Sequence, residues 1–350
     1  MLIINKIFKV LCTTFLLILI SQFIFCFSAC SGSKEITAKS KPFLHTFVEI
    51  KVCGNNAEKV IDEAFVEMER VNSLLNNYDT KSEVSKINKF SGEKPVEISS
   101  ETMDVLQTAV KFADITGGAF DFTIGPLLKL WGFAKENAGL DSDNPTPDKI
   151  EKVKEFVNYR ALKLEKVNNG TNTIRSAKLL KKGMYIDVGA FSKGYVADCA
   201  MEIINNNGIK NALISAGGTI VACGKKPDSS SWKIGIRHPR KEDSFLSFVK
   251  LKDCAVSTSG DYEKYFKIKN ERFTHIIDPR TGMSVNRHQS VTVIAKTGVE
   301  SDALSTALFV MGTKDGIDLV NSLPGVEALL IDNAGKVFMS KDWPQKTVIY

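Results

Sequence analysis

MYIDVGAFSKGYVAD, residues 184–198, is the stretch on which the reading of the whole chain turns. Met184, Tyr185 and Ile186 make a short extended run, and residues 187–190 form a turn of mostly small residues. Beyond it, Val196, Ala200, Ile203 and Ile204 recur on one helical face. A strand that turns into a helix in this way aims main-chain groups and a helix N-terminus at one spot. Lys193 in the first turn adds a cation for any anion held there. Taken alone, the stretch also reads as an ordinary strand-to-helix connection with one surface lysine, so its meaning depends on its neighbours.

The chain has 350 residues, 43% hydrophobic and 25% charged, enough for one large or two ordinary globular domains and unlike a disordered or fibrous chain. Residues 1–29 stand apart: Lys6 and Lys9 precede an apolar run over 10–27, and the small pair Ser28-Ala29 comes directly before Cys30. This resembles a bacterial lipoprotein signal, in which Cys30 becomes the lipidated first residue. Phe27 departs from the usual Leu, and an ordinary signal peptide or an uncleaved anchor is the alternative reading. Residues 30–41 are polar without apolar period and read as a tether, with the folded domain over 42–350.

Removing residues 1–29 takes away two lysines and no acid, leaving 44 basic and 40 acidic residues. So mild an excess, with no basic tract, gives no support for nucleic-acid binding. Cys53, Cys199, Cys223 and Cys254 remain beyond the leader without C-x-x-C or Cys/His ligand spacing. They read as mostly buried thiols, and their pairing is open.

Outward from 184–198, residues 44–53 alternate as a strand, and Val60, Ile61, Ala64, Phe65, Met68, Val71 and Leu75 mark a core helix. Tyr78 in the polar turn that follows is either a packed aromatic or a ring that stacks on a ligand. Ser99 or Ser100 caps a helix ending at Gly117-Gly118. Asp121 then sits among aromatics and aliphatics in AFDFTIGPLLKLWGF (119–133), where a carboxylate must be hydrogen-bonded or usefully placed. Pro147 opens another helix. NALISAGGTIVACG (211–224) reads as a buried strand interrupted by Gly217-Gly218, and STSGDYEKYF (257–266) as a polar turn. Strands and helices alternate without a βαβ period, which predicts an α+β fold with mixed or antiparallel sheets flanked by helices.

Two further segments carry candidate chemistry. In ESDALSTALFVMG (300–312), Ser301 is the expected helix N-cap, and Asp302 and Thr306 share a helical face. A carboxylate and a hydroxyl side by side suit Mg²⁺, which takes few protein ligands and keeps phosphate and water oxygens. In THIIDPRTG (274–282), His275 is a candidate base, Asp278 an orienting acid and Arg280 a phosphate-pairing cation, or the segment is simply a turn.

In order along the chain, GAFDFTIGPL (118–127), IDVGAFSKGYVAD (186–198), ISAGGTIVACG (214–224), WKIGIRHP (232–239), STSGDYEKYF (257–266), THIIDPRTG (274–282) and VTVIAKTGVESDALSTALFVMG (291–312) resemble the ApbE family, the FAD:protein FMN transferases. The resemblance implies a T-fold-related catalytic domain and a reaction that cleaves FAD with Mg²⁺, releases AMP and joins FMN by a phosphoester bond to a Ser or Thr of an acceptor flavoprotein, for example a subunit of a membrane redox complex. It implies metal ligands at Asp302, Thr306 and the Ala190 carbonyl, and a catalytic His275 with Asp278 beside it. FAD contacts are implied at Leu44, Tyr78, Ala119, Phe120, Asp121, Asp187, Lys193 and Ile276. Leu44-His45-Thr46 departs from the family's usual Met-Gly-Thr, which puts the Leu44 contact in question. With the lipoprotein signal, the expected location is the periplasmic face of the inner membrane, anchored by lipid. The competing readings are an FAD pyrophosphatase and a flavin-binding lipoprotein without catalysis. A nucleotide-binding oxidoreductase ranks below them, because no G-x-G-x-x-G follows a strand.

Overall fold

The computed structural model describes residues 35–134, 144–168, 170, 172–268 and 271–344. The leader and Cys30 lie outside the described residues, and no described helix is long and apolar enough to cross a membrane. A hairpin of β1 (Ile36–Phe43) and β2 (Thr46–Cys53) is followed by helices α1 (Ala57–Leu75) and α2 (Glu83–Lys89), strand β3 (Val96–Glu97), and helices α3 (Ser100–Ile115), α4 (Gly125–Leu130) and α5 (Pro147–Lys154). Next come β4 (Leu162–Asn168), β5 (Thr173–Leu179), α6 (Ser192–Asn206), β6 (Ala212–Ala216), β7 (Thr219–Cys223), β8 (Trp232–Arg237), β9 (Phe245–Leu251) and β10 (Cys254–Gly260). The described chain closes with β11 (Tyr265–Ile268), β12 (Glu271–Thr274), β13 (His288–Ala295), α7 (Gly298–Met311), α8 (Thr313–Ser322), β14 (Glu327–Asp332) and β15 (Val337–Met339).

Eight of the strands form one sheet, in the order β1-β2-β6-β7-β10-β13-β14-β15. Every neighbouring pair is antiparallel, which with the interspersed helices is the α+β class. Because side chains alternate across a strand, the sheet offers two apolar faces. Val48, Ile50, Ile214, Val291, Val293 and Leu330 pack into the core shared with α1, α6 and α7. Leu213, Val256, Ile294, Leu329 and Ile331 pack on the other side with Trp232, Val249 and Leu251 of the β8–β9 ribbon. Helix α7 is buried at ten of its fourteen positions, as befits a helix enclosed between the sheet and α6.

Several expectations are corrected. The domain begins at Ile36 and not after a tether reaching residue 41: β1 pairs with β2 along its whole length, because even a polar strand satisfies its main chain against a sheet edge. Residues 212–223 are two strands, not one, with Gly217 and Gly218 at φ 53° and 95° supplying the two left-handed residues of a tight hairpin turn. Residues 257–260, read as a turn, belong to β10: all four pair with β13, and Ser257 also pairs with Thr219 of β7. Among the described residues Cys53, Cys199, Cys223 and Cys254 are free, and each is half-buried.

Candidate active site

The turn at 187–190 is held from several sides. The Asp187 amide donates to the Phe122 carbonyl at 2.8 Å. Asn88 clasps Ile186, its Nδ2 donating to the carbonyl at 2.9 Å and its Oδ1 accepting from the amide at 2.6 Å. Asp187 itself accepts from the Gly189 amide at 2.8 Å and from Asn77 Nδ2 at 3.0 Å. Burial raises the Asp187 carboxyl above its ordinary pKa, and these two bonds oppose the rise.

Helix α6 then meets the start of α7 with no space for a side chain: a Cβ on Gly194 would lie 2.1 Å from the Gly298 carbonyl oxygen. Asp198 on α6 accepts from the first amides of α7, Gly298 at 2.7 Å and Val299 at 2.9 Å. Its carboxyl is pushed up to about 6 by burial, with those amides opposing. The N-cap of α7 is Thr297, whose side chain accepts from Glu300. Ser301, expected in that role, lies buried inside the first turn and donates to the Gly298 carbonyl at 3.0 Å.

This crossing brings Asp302 against the first turn of α6. The Gly194 amide donates to Asp302 Oδ2 at 3.0 Å, and Lys193 Nζ lies 3.7 Å from the same oxygen. Gly194 is the third residue of α6, so its amide is one of the first-turn donors that have no carbonyl partner within the helix. Asp302 satisfies that donor from α7, and the Ala190 carbonyl lies just outside the helix, one residue before its N-cap Phe191. Lys193 Nζ also donates to the Gly189 carbonyl at 3.2 Å, so the ammonium sits over the turn. Burial raises the Asp302 carboxyl, and Lys193 and the Gly194 amide oppose it.

Behind Asp302 and Thr306 lies a layer of hydroxyls joining α7 to the sheet. Ser257 Oγ is 3.0 Å from Thr219 Oγ1 and 2.8 Å from Ser301 Oγ. Ser259 Oγ is 2.9 Å from Ser305 Oγ and 3.3 Å from Thr306 Oγ1.

His275 follows β12. Its Nδ1 is 3.1 Å from the Lys264 carbonyl, and since a carbonyl only accepts, the neutral ring carries its proton on Nδ1 and its lone pair on Nε2. Desolvation pushes the imidazole down to about 4; the Lys264 bond resists this, while the charges of Lys264 and Lys193 add to it. The ring also meets the edge of Phe133 at 6.4 Å.

Residues 44–330 match the ApbE family. The chain belongs to that family. It is 32% identical over 281 residues to the FAD:protein FMN transferase of Vibrio cholerae, covering 79% of this chain and 81% of that one. A second such transferase, from Treponema pallidum, is 30% identical, with 87% of each chain covered. Among solved structures, the ApbE protein of Thermotoga maritima superposes with a TM-score of 0.77 at 33% identity, over 88% of this chain and 97% of that one. Flavin transferase ApbE from Vibrio cholerae superposes with a TM-score of 0.76 at 28% identity, over 88% and 97%.

Within this ApbE-family fold the sequence-predicted residues divide. Lys193 acts electrostatically on Asp187, His275 and Asp302 alike, so these four form one cluster around the first turn of α6. Asp278 does not complete a dyad with His275. Burial works against its ionisation, but bonds from Arg280 Nε and Nη2 at 2.9 Å and from the Arg280 amide at 3.0 Å outweigh it and hold its carboxyl low. The orienting role expected of Asp278 falls to the Lys264 carbonyl. Asp121 accepts from Thr123 Oγ1 at 2.6 Å, the Thr123 amide at 2.8 Å and the Tyr159 amide at 3.0 Å, which makes it a structural clamp. Ala119, Phe120 and Ile276 are core side chains. Leu44 sits in the β1–β2 turn, next to His45, whose ring packs edge-on against Tyr78 at 5.8 Å.

Sequence reading missed Asn77, Asn88, Asp198, Lys264, Ser257 and Ser259. Nothing local distinguishes them from solvated polar residues, because each acts on a partner distant in the chain. Glycine at 194 and again at 298 was visible, but two isolated glycines do not announce that they touch. A cleft of about 1390 Å³ between α1 and the end of α6 contains none of the site residues.

Proposed function

We propose that this protein cleaves FAD in the presence of Mg²⁺ and transfers FMN to a serine or threonine hydroxyl of an acceptor protein, with AMP leaving. The observation that carries the reading is the bond from the first-turn Gly194 amide, which has no acceptor in its own helix, to the buried Asp302. It sets a buried carboxylate beside the turn that carries the Ala190 carbonyl, with the Thr306 hydroxyl one turn further along α7, as hard oxygen donors near Lys193. No group of three or more His, Cys, Asp or Glu side chains suited to a metal occurs among the described residues. Mg²⁺ uses few protein ligands and completes its shell with phosphate and water oxygens. The residues therefore fit the ion, with Asp302, Thr306 and the Ala190 carbonyl as its holders; when bound, it would neutralise the diphosphate and the charge developing on AMP.

The chain's own groups supply the rest. With Asp302 neutralised, Lys193 is left to pair a phosphate oxygen, and the turn at 187–190 faces the same diphosphate. His275 Nε2 accepts the proton of the acceptor hydroxyl as its oxygen attacks the FMN phosphorus and the bond to AMP breaks. The tautomer fixed by Lys264 gives Nε2 that capacity. The relatives' name, FAD:protein FMN transferase, supports the same substrate and product. We further propose that lipid on Cys30 holds the protein at the outer face of the inner membrane, on the strength of the leader and Ser28-Ala29-Cys30.

The test is incubation of the purified protein with FAD, Mg²⁺ and an acceptor flavoprotein subunit carrying a target Thr, read by in-gel flavin fluorescence and intact mass. A mass gain of one FMN on the acceptor, matched by released AMP, is expected. Free FMN with an unmodified acceptor would identify a pyrophosphatase instead.

A further inference from the structure

The main sheet has a second chemically distinct end. There a cleft of about 760 Å³ is lined by Lys210, Lys225, Lys226 and Lys252, with Asp253 as its single acid. Asp253 is already engaged, accepting from the Gly224 amide at 2.7 Å and lying 3.9 Å from the Lys252 ammonium. Lys296 Nζ reaches the Asp253 carbonyl at 3.4 Å and adds a fifth ammonium. Among the described residues Lys210, Lys225 and Lys226 form no ion pair with a carboxylate. Such an excess of like charge over a single acid weakens the fold by self-repulsion, so it calls for an anionic counterpart.

Strand β1 starts at this same end, where Ile36 pairs with Cys53 and the Cys53 amide bonds the carbonyl of Asn211 in the cleft wall. Ile36 is six steps along the chain from Cys30, a reach of at most about 20 Å. The catalytic cluster lies toward the opposite end: Thr219 and Ser257 pair at the start of β7, about 13 Å along the strand from Cys223. The acids Asp62, Glu63 and Glu67 line a neighbouring cleft on α1 and are paired with Lys39, Lys59 and Arg70.

We propose that the lysine cleft is the membrane-facing surface of the protein and binds anionic phospholipid headgroups, so that the Lys193–Asp302–His275 site is turned away from the bilayer toward its acceptor. The proposal rests on the reading of Cys30 as the anchor point. A single lipid anchor leaves a domain free to tumble, and a basic patch beside the anchor supplies the second signal that fixes its orientation. Each lysine near an anionic surface strengthens the contact about fivefold, and salt screens it within a Debye length.

The full-length protein, reconstituted in vesicles of phosphatidylcholine alone or with phosphatidylglycerol, is footprinted with an amine-reactive reagent and mass spectrometry. Lys210, Lys225, Lys226 and Lys252 are expected to be protected in the phosphatidylglycerol vesicles only, and to lose protection at high salt. Exposed Lys241, at the other end of the β8–β9 ribbon, should label equally in both. The combined Lys210→Glu, Lys225→Glu and Lys252→Glu variant should lose the protection of Lys226 by at least about fivefold, with flavin transfer to a soluble acceptor unchanged. Equal labelling of the four lysines in both vesicles overturns the proposal. The mass of the N-terminal peptide reports lipid on Cys30 separately. Protection without lipid upholds the basic face and removes the anchor, whereas lipid without protection removes the face.

Discussion

Replacing Gly194 by alanine tests the reasoning at its narrowest point. The added Cβ would meet Gly298 O at 2.1 Å, Gly298 C at 2.3 Å and Val299 N at 2.7 Å, all of them backbone atoms with no rotamer to move aside. Carbon contacts become favourable only near 3.5 Å, so α6 and the start of α7 must part by about 1 Å. Overpacking of this kind costs about 1–3 kcal/mol. The same movement stretches the 3.0 Å bond from Gly194 to Asp302 and the two amide bonds that Asp198 accepts from α7, and weakening a bond to a charged group adds about 1.5–3 kcal/mol. Asp302 would then sit about 1 Å out of place relative to Lys193, a displacement that can reduce turnover about a hundredfold. Urea unfolding gives the first quantity, and flavin transfer at saturating FAD the second. Gly316→Ala on α8 is the control, because its Cβ would meet nothing closer than 3.4 Å. A Gly194→Ala protein with wild-type stability and a transfer rate within twofold of wild type would refute the helix-crossing account of the site.

Asp302→Asn keeps an acceptor for the Gly194 amide but removes the charge, so transfer should fall on the order of a thousandfold while the circular dichroism spectrum is unchanged; chelation by EDTA should do the same to the wild type until Mg²⁺ is restored, and normal transfer by the variant removes Asp302 from the metal site. Because His275 is held down to about 4 in the folded protein, the acid limb of kcat/KM should lie well below the ordinary histidine value of about 6.5. The same depression means that the unfolded chain takes up the proton first, so His275 makes the fold less stable as pH falls from about 6.5 toward 4; an acid limb near 6.5 that persists in His275→Gln would assign it to another group. His45 has φ 57°, a conformation that costs a non-glycine residue about 1–2 kcal/mol. His45→Gly should therefore raise the unfolding midpoint, and a lower midpoint would show that the Tyr78 edge contact outweighs the strain. Cys30→Ala should release the protein from membranes or block its processing, and an unchanged mass in the membrane fraction would contradict lipidation.

The sequence by itself determined what repeats locally. Helical spacing from Val60 to Leu75 and from Val196 to Ile204, the Pro147 helix start and the lack of a βαβ period are consequences of which side chains must face apolar surroundings, and one dimension records them. The ordered blocks from 118 to 312 likewise brought Lys193, Asp302, Thr306 and His275 forward as a group. Tertiary structure alone decided which of these residues share a site and which act as struts. Asp121 and Asp278 looked as available as Asp302, yet their oxygens are taken by Thr123, Tyr159 and Arg280. The Gly194–Gly298 contact spans about a hundred residues, as does the Asn77–Asp187 bond. Such pairings arise when whole helices and sheet faces dock, and no window of sequence encodes them. The polar β1 is the same lesson at the edge of the fold: its residues carry no apolar period, and only the neighbouring strand, by offering main-chain partners, makes it a strand.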